Sequence, residues 1–237
     1  MSLYHSPRDI ESHMTFLSKN ALYQTEKPYT TDFPVDGIEG AKITNHKYDT
    51  QPVIFYDARV GKESFTLDRN GFCYIKAQTS LSDQDATPER TELMEQYMHE
   101  ITNILRDKFP QYQEIKFMDF QVRRRHPAFS DGEKRTVEFA QPSIMAHTDF
   151  SQQGAFLRMA DIFPNQGSYY ENRRFDLLNN AQRWYYLSDM EEDDLIVYRN
   201  VDSEGTMPRG FHASFYNPTT AGELRHSIEV RLVAFRD

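Results

Sequence analysis

The tripeptide His147-Thr148-Asp149, inside the stretch Ser143–Ser151, sets an imidazole and a carboxylate two residues apart. On an extended strand, residues i and i+2 project from the same face, so both side chains can reach one ion. A nitrogen and a carboxylate oxygen suit a non-haem Fe(II) centre once a second imidazole arrives from elsewhere, with coordination positions left open. A surface turn would use the same tripeptide, so the motif gains weight only from its company. His212, in Gly210-Phe211-His212-Ala213-Ser214-Phe215, offers the second imidazole, and on spacing alone His226 competes with it.

Arg225-His226-Ser227 opens the last strand expected from the pattern. Alternation places Arg225, Ser227, Glu229 and Arg231 on one face and His226, Ile228, Val230 and Leu232 largely on the other. The guanidinium of Arg225 is a planar fork matched to a carboxylate, and the Ser227 hydroxyl can support the same oxygens. A polar face turned to water would show the same alternation, so this strand alone leaves both readings open.

The elements that must position these groups are mostly strands. Residues 1–50, punctuated by Pro28, Pro34, Gly37 and Gly40, read as an irregular N-terminal arm with one short helix near Ile10–Leu17. Strands are expected at Pro52–Asp57, Ser64–Leu67, Phe72–Ile75 and Ile115–Val122, and then at Arg174–Leu178, Gln182–Leu187, Leu195–Tyr198, Phe211–Tyr216 and Arg225–Phe235. Thr87-Pro88 opens an expected helix over about 88–109, with Leu93, Tyr97, Ile101, Ile104 and Leu105 as its apolar stripe and Pro110 closing it. Gly154–Phe163 reads as a second, short helix. Strands without βα alternation point to a sandwich or barrel, and the absence of a linker points to one domain over 1–237, with the core at 51–237.

Composition narrows the classes. In 237 residues, a net charge of −9 argues against nucleic acid as the partner, despite the Arg123-Arg124-Arg125 run. Those arginines read as a solvated strand end or as cations for an anionic ligand. Seventeen Phe and 14 Tyr favour strands and can line an apolar pocket; Phe150, Tyr185, Tyr186 and Phe211 are the wall candidates. Cys73 is the single cysteine, which fits a reducing compartment, and no apolar run reaches the length of a membrane span. A cytoplasmic protein with no membrane partner is expected.

The order His-x-Asp, distant His, then Arg-x-Ser is that of 2-oxoglutarate-dependent oxygenases. The chain resembles the CmcJ/NvfI-like, gibberellin desaturase-like family of Fe(II)/2-oxoglutarate-dependent oxygenases. The matching stretches are Lys62–Phe72, Asp119–Arg125, His147–Ser151, Arg183–Met190 and Arg225–Arg231, with Glu26–Tyr29 a weaker early match. The resemblance implies a mainly β fold with flanking helices around a double-stranded β-helix (jelly-roll, cupin-like) core. It implies His147, Asp149 and His212 as iron ligands, and Arg225 with Ser227 as the clamp on 2-oxoglutarate. His226 is set aside because alternation turns it away from Arg225 and because the family has no ligand there. The implied cofactors are Fe(II), the cosubstrate 2-oxoglutarate and O2. The implied activity is hydroxylation, desaturation or another oxidation of a small, apolar natural product.

The chain departs from the family pattern at Asn180-Ala181-Gln182, where a few dozen residues are absent between two expected strands. An edge left there could be covered by a second subunit, so a homodimer is one expected arrangement. The same departure keeps a non-catalytic, partner-assisting protein in view, and a cupin-like metal-dependent isomerase or lyase is a further alternative.

Overall fold

The structure, a computed structural model, describes residues 6–31, 33–126, 139–167, 183–220 and 224–236. Strand β1 (Ile10–Leu17) pairs antiparallel with β2 (Tyr48–Asp57), and β2 pairs parallel with β5 (Trp184–Tyr186). Strand β3 (Phe72–Lys76) pairs antiparallel with β6 (Asp194–Tyr198), and β4 (Glu114–Arg124) pairs antiparallel with β7 (His226–Phe235). Helices α1 (Leu67–Asn70), α2 (Glu92–Lys108) and α3 (Gln152–Ile162) flank these strands. The strand-rich, helix-flanked architecture is that of the expected jelly roll.

Helix α2 covers one face of the β3–β6 and β4–β7 ladders. Its buried Tyr97, Ile101 and Leu105 pack with Ile75, Leu195, Val197, Ile228, Val230 and Leu232. Fully burying a large apolar side chain contributes roughly 1.5–3 kcal/mol, so this layer locks the register of β7. Its consequence for function is geometric. Because Ile228, Val230 and Leu232 face α2, Ser227, Glu229 and Arg231 must face the other way.

The helix starts later than Thr87-Pro88 suggests. Thr91 is the N-cap, its hydroxyl accepting from the Met94 N–H, while the Thr87 hydroxyl accepts from Glu89 N–H in the turn before it. Glu92 and Glu95 in the first turn and Arg106 and Lys108 in the last favour the later start through the helix dipole. Tyr97, Ile101 and Leu105 are buried as the stripe requires, and only its first member differs, Met94 being fully buried where Leu93 is 49% exposed.

Two expected elements change type. Ile10–Leu17 is a strand, not a helix: Ile10, Met14 and Phe16 recur at even spacing and pack against Phe55 and Trp184. The two-residue period prevails because β2 supplies a ladder partner along the whole stretch. Ser64–Leu67 is not a strand; a 3₁₀ turn at Lys62–Ser64 leads into α1, capped by the Thr66 hydroxyl on Arg69 N–H. Phe211–Tyr216 forms no regular strand, yet makes an isolated bridge at His212. The expected strand Arg174–Leu178 and the short join at 180–182 lie outside the described residues.

Gly71 ends α1 at φ +79°, and a Cβ there would overlap the backbone of Arg209. Its carbonyl accepts from Arg199 N–H at 2.7 Å, and the Arg199 carbonyl accepts from Gly210 N–H at 2.9 Å. A Cβ on Gly210 would sit 2.6 Å from Tyr198 Cβ. Three backbones therefore cross closely just before His212. Gly71→Ala should cost roughly 2–5 kcal/mol, from the left-handed conformation and the overlap together, read as a lower urea midpoint at unchanged slope.

Candidate metal centre

His147 and His212 are joined by two backbone hydrogen bonds, His147 N–H to His212 carbonyl at 3.1 Å and His212 N–H to His147 carbonyl at 2.9 Å. Directly opposed residues of an antiparallel pair point to the same side, so one bridge aims both imidazoles into one space. Their rings are 4.3 Å apart. Asp149, two residues along from His147, brings Oδ1 to 3.5 Å from His147 Nε2 and 3.6 Å from His212 Nε2. One donor atom from each of the three lies within 4.8 Å of the others, the separation of ligands around a single ion.

The orientation of each donor has a local cause. His147 Nδ1 lies 2.7 Å from the Met145 carbonyl, so Nδ1 carries the proton and Nε2 keeps its lone pair for the shared space. Among the described residues His212 has no such bond: its Nδ1 is buried without a hydrogen-bond partner there. Its ring is held by packing instead, between His147 and the ring of Tyr198 at 4.4 Å. Asp149 Oδ2 accepts from Arg231 Nε at 2.9 Å and from Asn200 Nδ2 at 3.1 Å. Asn200 Oδ1 in turn accepts from Asp149 N–H at 3.3 Å and from the Thr148 hydroxyl at 3.2 Å.

Burial pushes the Asp149 carboxyl up, but the adjacent imidazoles of His147 and His212 and the hydrogen-bonded Arg231 guanidinium outweigh it and hold the group far below the usual carboxylate range. Burial pushes His147 down, and Asp149 with the Met145 carbonyl more than offsets that, leaving it raised. The two shifts describe an anion surrounded by groups that favour its charge.

Arg225 and Ser227 are adjacent, with Arg225 Nη2 3.2 Å from Ser227 Oγ. Burial of the guanidinium pushes Arg225 down, with Glu229 opposing, although the residue as a whole is exposed. Among the described residues it makes no ion pair. Its neighbour Arg123, cross-strand from Ser227, is already committed: Nε to Glu229 Oε1 at 2.6 Å and Nη1 to the Gln141 carbonyl. Arg124 points the other way, donating to the Asp83 and Ala86 carbonyls and lying over the Phe139 ring. His226 also points away, with Nδ1 3.0 Å from the Asp83 carboxylate, so the structure does not bring it to the His147 cluster.

Of the wall candidates, Tyr185 packs its ring against Phe65 (4.8 Å), Phe72 and Tyr56 (5.8 Å each). Phe72 stands directly opposite Tyr198 in the β3–β6 ladder, so these rings continue toward the one that packs on His212. Tyr186 faces elsewhere, its hydroxyl donating to the Arg8 carbonyl and its ring packing against Phe215. Phe150 packs under α3, and Phe211 is half-buried. The sequence pattern did not single out Tyr198, Asn200 or the pairing of Arg231 with Asp149. Arg231 lay on the same alternating face as Arg225; for Asn200 no local signal exists.

The family model described as "Oxidoreductase/YMDC permease-like domain" matches residues 14–180 and 177–235. Its two pieces meet where the short join was noted. "Hydroxylase/desaturase efuI" of Hormonema carpetanum is 23% identical, over 81% of this chain and 86% of that protein. "Hydroxylase/desaturase asaB" of Aspergillus flavus is 25% identical, over 79% of this chain and 81% of its own. The solved structure of "iron and alpha-ketoglutarate-dependent endoperoxidase NvfI" superposes with a TM-score of 0.75 at 20% identity, covering 98% of this chain and 99% of that one. That likeness shows the shared fold.

The geometry generates a direct test with Co(II), an oxygen-stable stand-in for first-row divalent ions. The protein should take up one equivalent, His147→Ala and His212→Ala should lose it, and His226→Ala should retain it, as read by calorimetric titration.

Proposed function

The chain belongs to the oxidoreductase/YMDC permease-like family, with NvfI-like oxygenases as its structural neighbours, and on that premise we propose that it is a non-haem Fe(II)/2-oxoglutarate-dependent oxygenase acting on a small, largely apolar natural product. The single observation that carries this reading is the pairing of two sites on one scaffold. Two imidazoles and a carboxylate oxygen come together, and the Arg225 guanidinium, with the Ser227 hydroxyl beside it, belongs to the same alternating face of the chain as Arg231, which holds Asp149.

The donors fit the proposed ion. Two neutral nitrogens and one carboxylate oxygen make the facial set used by non-haem Fe(II) oxygenases, which leaves positions open. Asp149 Oδ1 lies between the two imidazoles, 3.5 Å from His147 Nε2 and 3.6 Å from His212 Nε2. His147 is already in the ligating tautomer through Met145. A cation in a protein-lined cavity calls for an anion, and Arg225 with Ser227 presents a fork and a hydroxyl to the far carboxylate of a 2-oxodiacid. When bound, Fe(II) with 2-oxoglutarate and O2 supplies the oxidising power that removes hydrogen from an unactivated carbon, succinate and CO2 leaving as coproducts.

The chain's own residues bind, orient and shield. His147, Asp149 and His212 would hold the ion, each through one donor atom. Arg225 and Ser227 would bind the far carboxylate of the cosubstrate through the guanidinium fork and the hydroxyl. The rings of Phe72, Tyr185 and Tyr198 extend an aromatic surface to His212 that would exclude water and take an apolar substrate. Relatives that bear the names hydroxylase/desaturase and endoperoxidase support hydrogen removal as the common step, with hydroxyl, alkene or peroxide as outcomes. Among the described residues no helix is long and apolar enough to cross a membrane, and Cys73 is buried as a free thiol; we assign the protein to the cytoplasm on the latter ground.

Anaerobic protein given Fe(II) and 2-oxoglutarate should develop a visible metal-to-ligand band. Arg225→Gln should keep metal binding but weaken 2-oxoglutarate about 10- to 100-fold, the cost of a charge-assisted pair, measured from the band's dependence on cosubstrate. An unchanged dependence would move the anion site elsewhere.

A further inference from the structure

Strand β7 carries at every second residue the groups of the inner face: Arg225 and Ser227, then Glu229, then Arg231. The first pair is the anion clamp proposed above; the last two have no role in that proposal. The Arg231 guanidinium presents a different nitrogen to each of three carboxylates. Nε donates to Asp149 Oδ2 at 2.9 Å, Nη1 donates to Asp119 Oδ1 at 2.9 Å, and Nη2 lies 3.9 Å from Glu229 Oε2. Two of these carboxylates are held a second time, Asp119 by Arg158 at 3.3 Å and Glu229 by Arg123 at 2.6 Å. The guanidinium is thus fixed from behind and only its Nε edge is directed at the metal-binding carboxylate.

We propose that Arg231 is a positioning residue for the metal centre: braced by Asp119, it pins Oδ2 of Asp149 so that Oδ1 alone can coordinate. This rests on the metal-site reading above and deepens it. A carboxylate with both oxygens free can chelate an ion and consume one of the positions that cosubstrate and oxygen need, or it can rotate away. The Asp149 donor has neither freedom while Nε and the Asn200 amide hold Oδ2. Partners of this kind, one step behind the ligands, typically change metal affinity about 10- to 100-fold when removed. Lysine cannot substitute, because one ammonium on a flexible stem does not reproduce a rigid fork serving Asp149 and Asp119 at once. The same guanidinium lies beside Glu229, whose other partner is Arg123, the cross-strand neighbour of Ser227. Arg123, Glu229, Arg231 and Asp149 therefore form a continuous ionic chain between the anion clamp and the metal donors.

The test uses Co(II) binding and its visible d–d spectrum on the full chain, with urea unfolding of the metal-free proteins as a check on folding. Wild type should bind one equivalent. Arg231→Met should bind about 10- to 100-fold more weakly with an altered d–d envelope, and Arg231→Lys should not restore either. Binding within twofold of wild type with an unchanged spectrum in Arg231→Met would overturn the proposal. If that variant does not fold, Asp119→Asn decides: a several-fold weakening supports the bracing role, and wild-type affinity refutes it. A wild-type protein that binds no Co(II) would sink the metal-site reading itself, and this inference with it.

Discussion

Two backbone hydrogen bonds between His147 and His212 hold together what the rest of the molecule is arranged to use. Neither residue lies in a long ladder; the bridge is isolated, made where two irregular segments run antiparallel for a moment. Its position depends on the crossing of Gly71, Arg199 and Gly210, where the absence of side chains lets three backbones approach. Tyr198 then comes near enough to pack its ring, tilted, on His212, whose Nδ1 has no hydrogen-bond partner among the described residues. One imidazole is oriented by a carbonyl and the other by aromatic packing, and the two answers to one problem follow from what each segment has beside it.

Strand β7 is the second organising constraint. Its apolar residues belong to the layer under α2, so burial of Ile228, Val230 and Leu232 determines where Ser227, Glu229 and Arg231 point. The stabilisation and the function of this strand are opposite faces of the same alternation. The face it presents is densely charged, with Arg123, Glu229, Arg231 and then Asp119 and Asp149 linked pair by pair. Such pairs cost desolvation and contribute little net stability, so their retention fits a demand for fixed geometry better than a demand for a stronger fold.

Much of the fold was legible from period and punctuation. Strands β3, β4, β6 and β7 and helix α3 sit where alternation or spacing places them. The errors share a cause. Ile10–Leu17 has a two-residue period whose meaning depends on β2, nearly forty residues away, and the helix reading weighed only the local residues. Thr87 and Thr91 are both competent caps; which one is used was decided by the packing of Met94 rather than Leu93. At the candidate site, His147, Asp149, His212, Arg225 and Ser227 were nameable in advance because the chain resembles an oxygenase family in the order of these residues. Asn200 and Tyr198 were not, because an amide or a phenol in a loop or strand has many ordinary uses.

The sequence by itself determined the types of the donors, the two-residue spacing of His147 with Asp149, and the division of β7 into a polar and an apolar face, since strand geometry depends only on neighbours along the chain. The tertiary structure alone decided that Arg231 takes one oxygen of Asp149, that Asn200 takes the same oxygen, and that Arg123 is paired with Glu229. Those outcomes depend on which segments cross in space, and contacts between residues some eighty positions apart leave no local mark in the order of the amino acids.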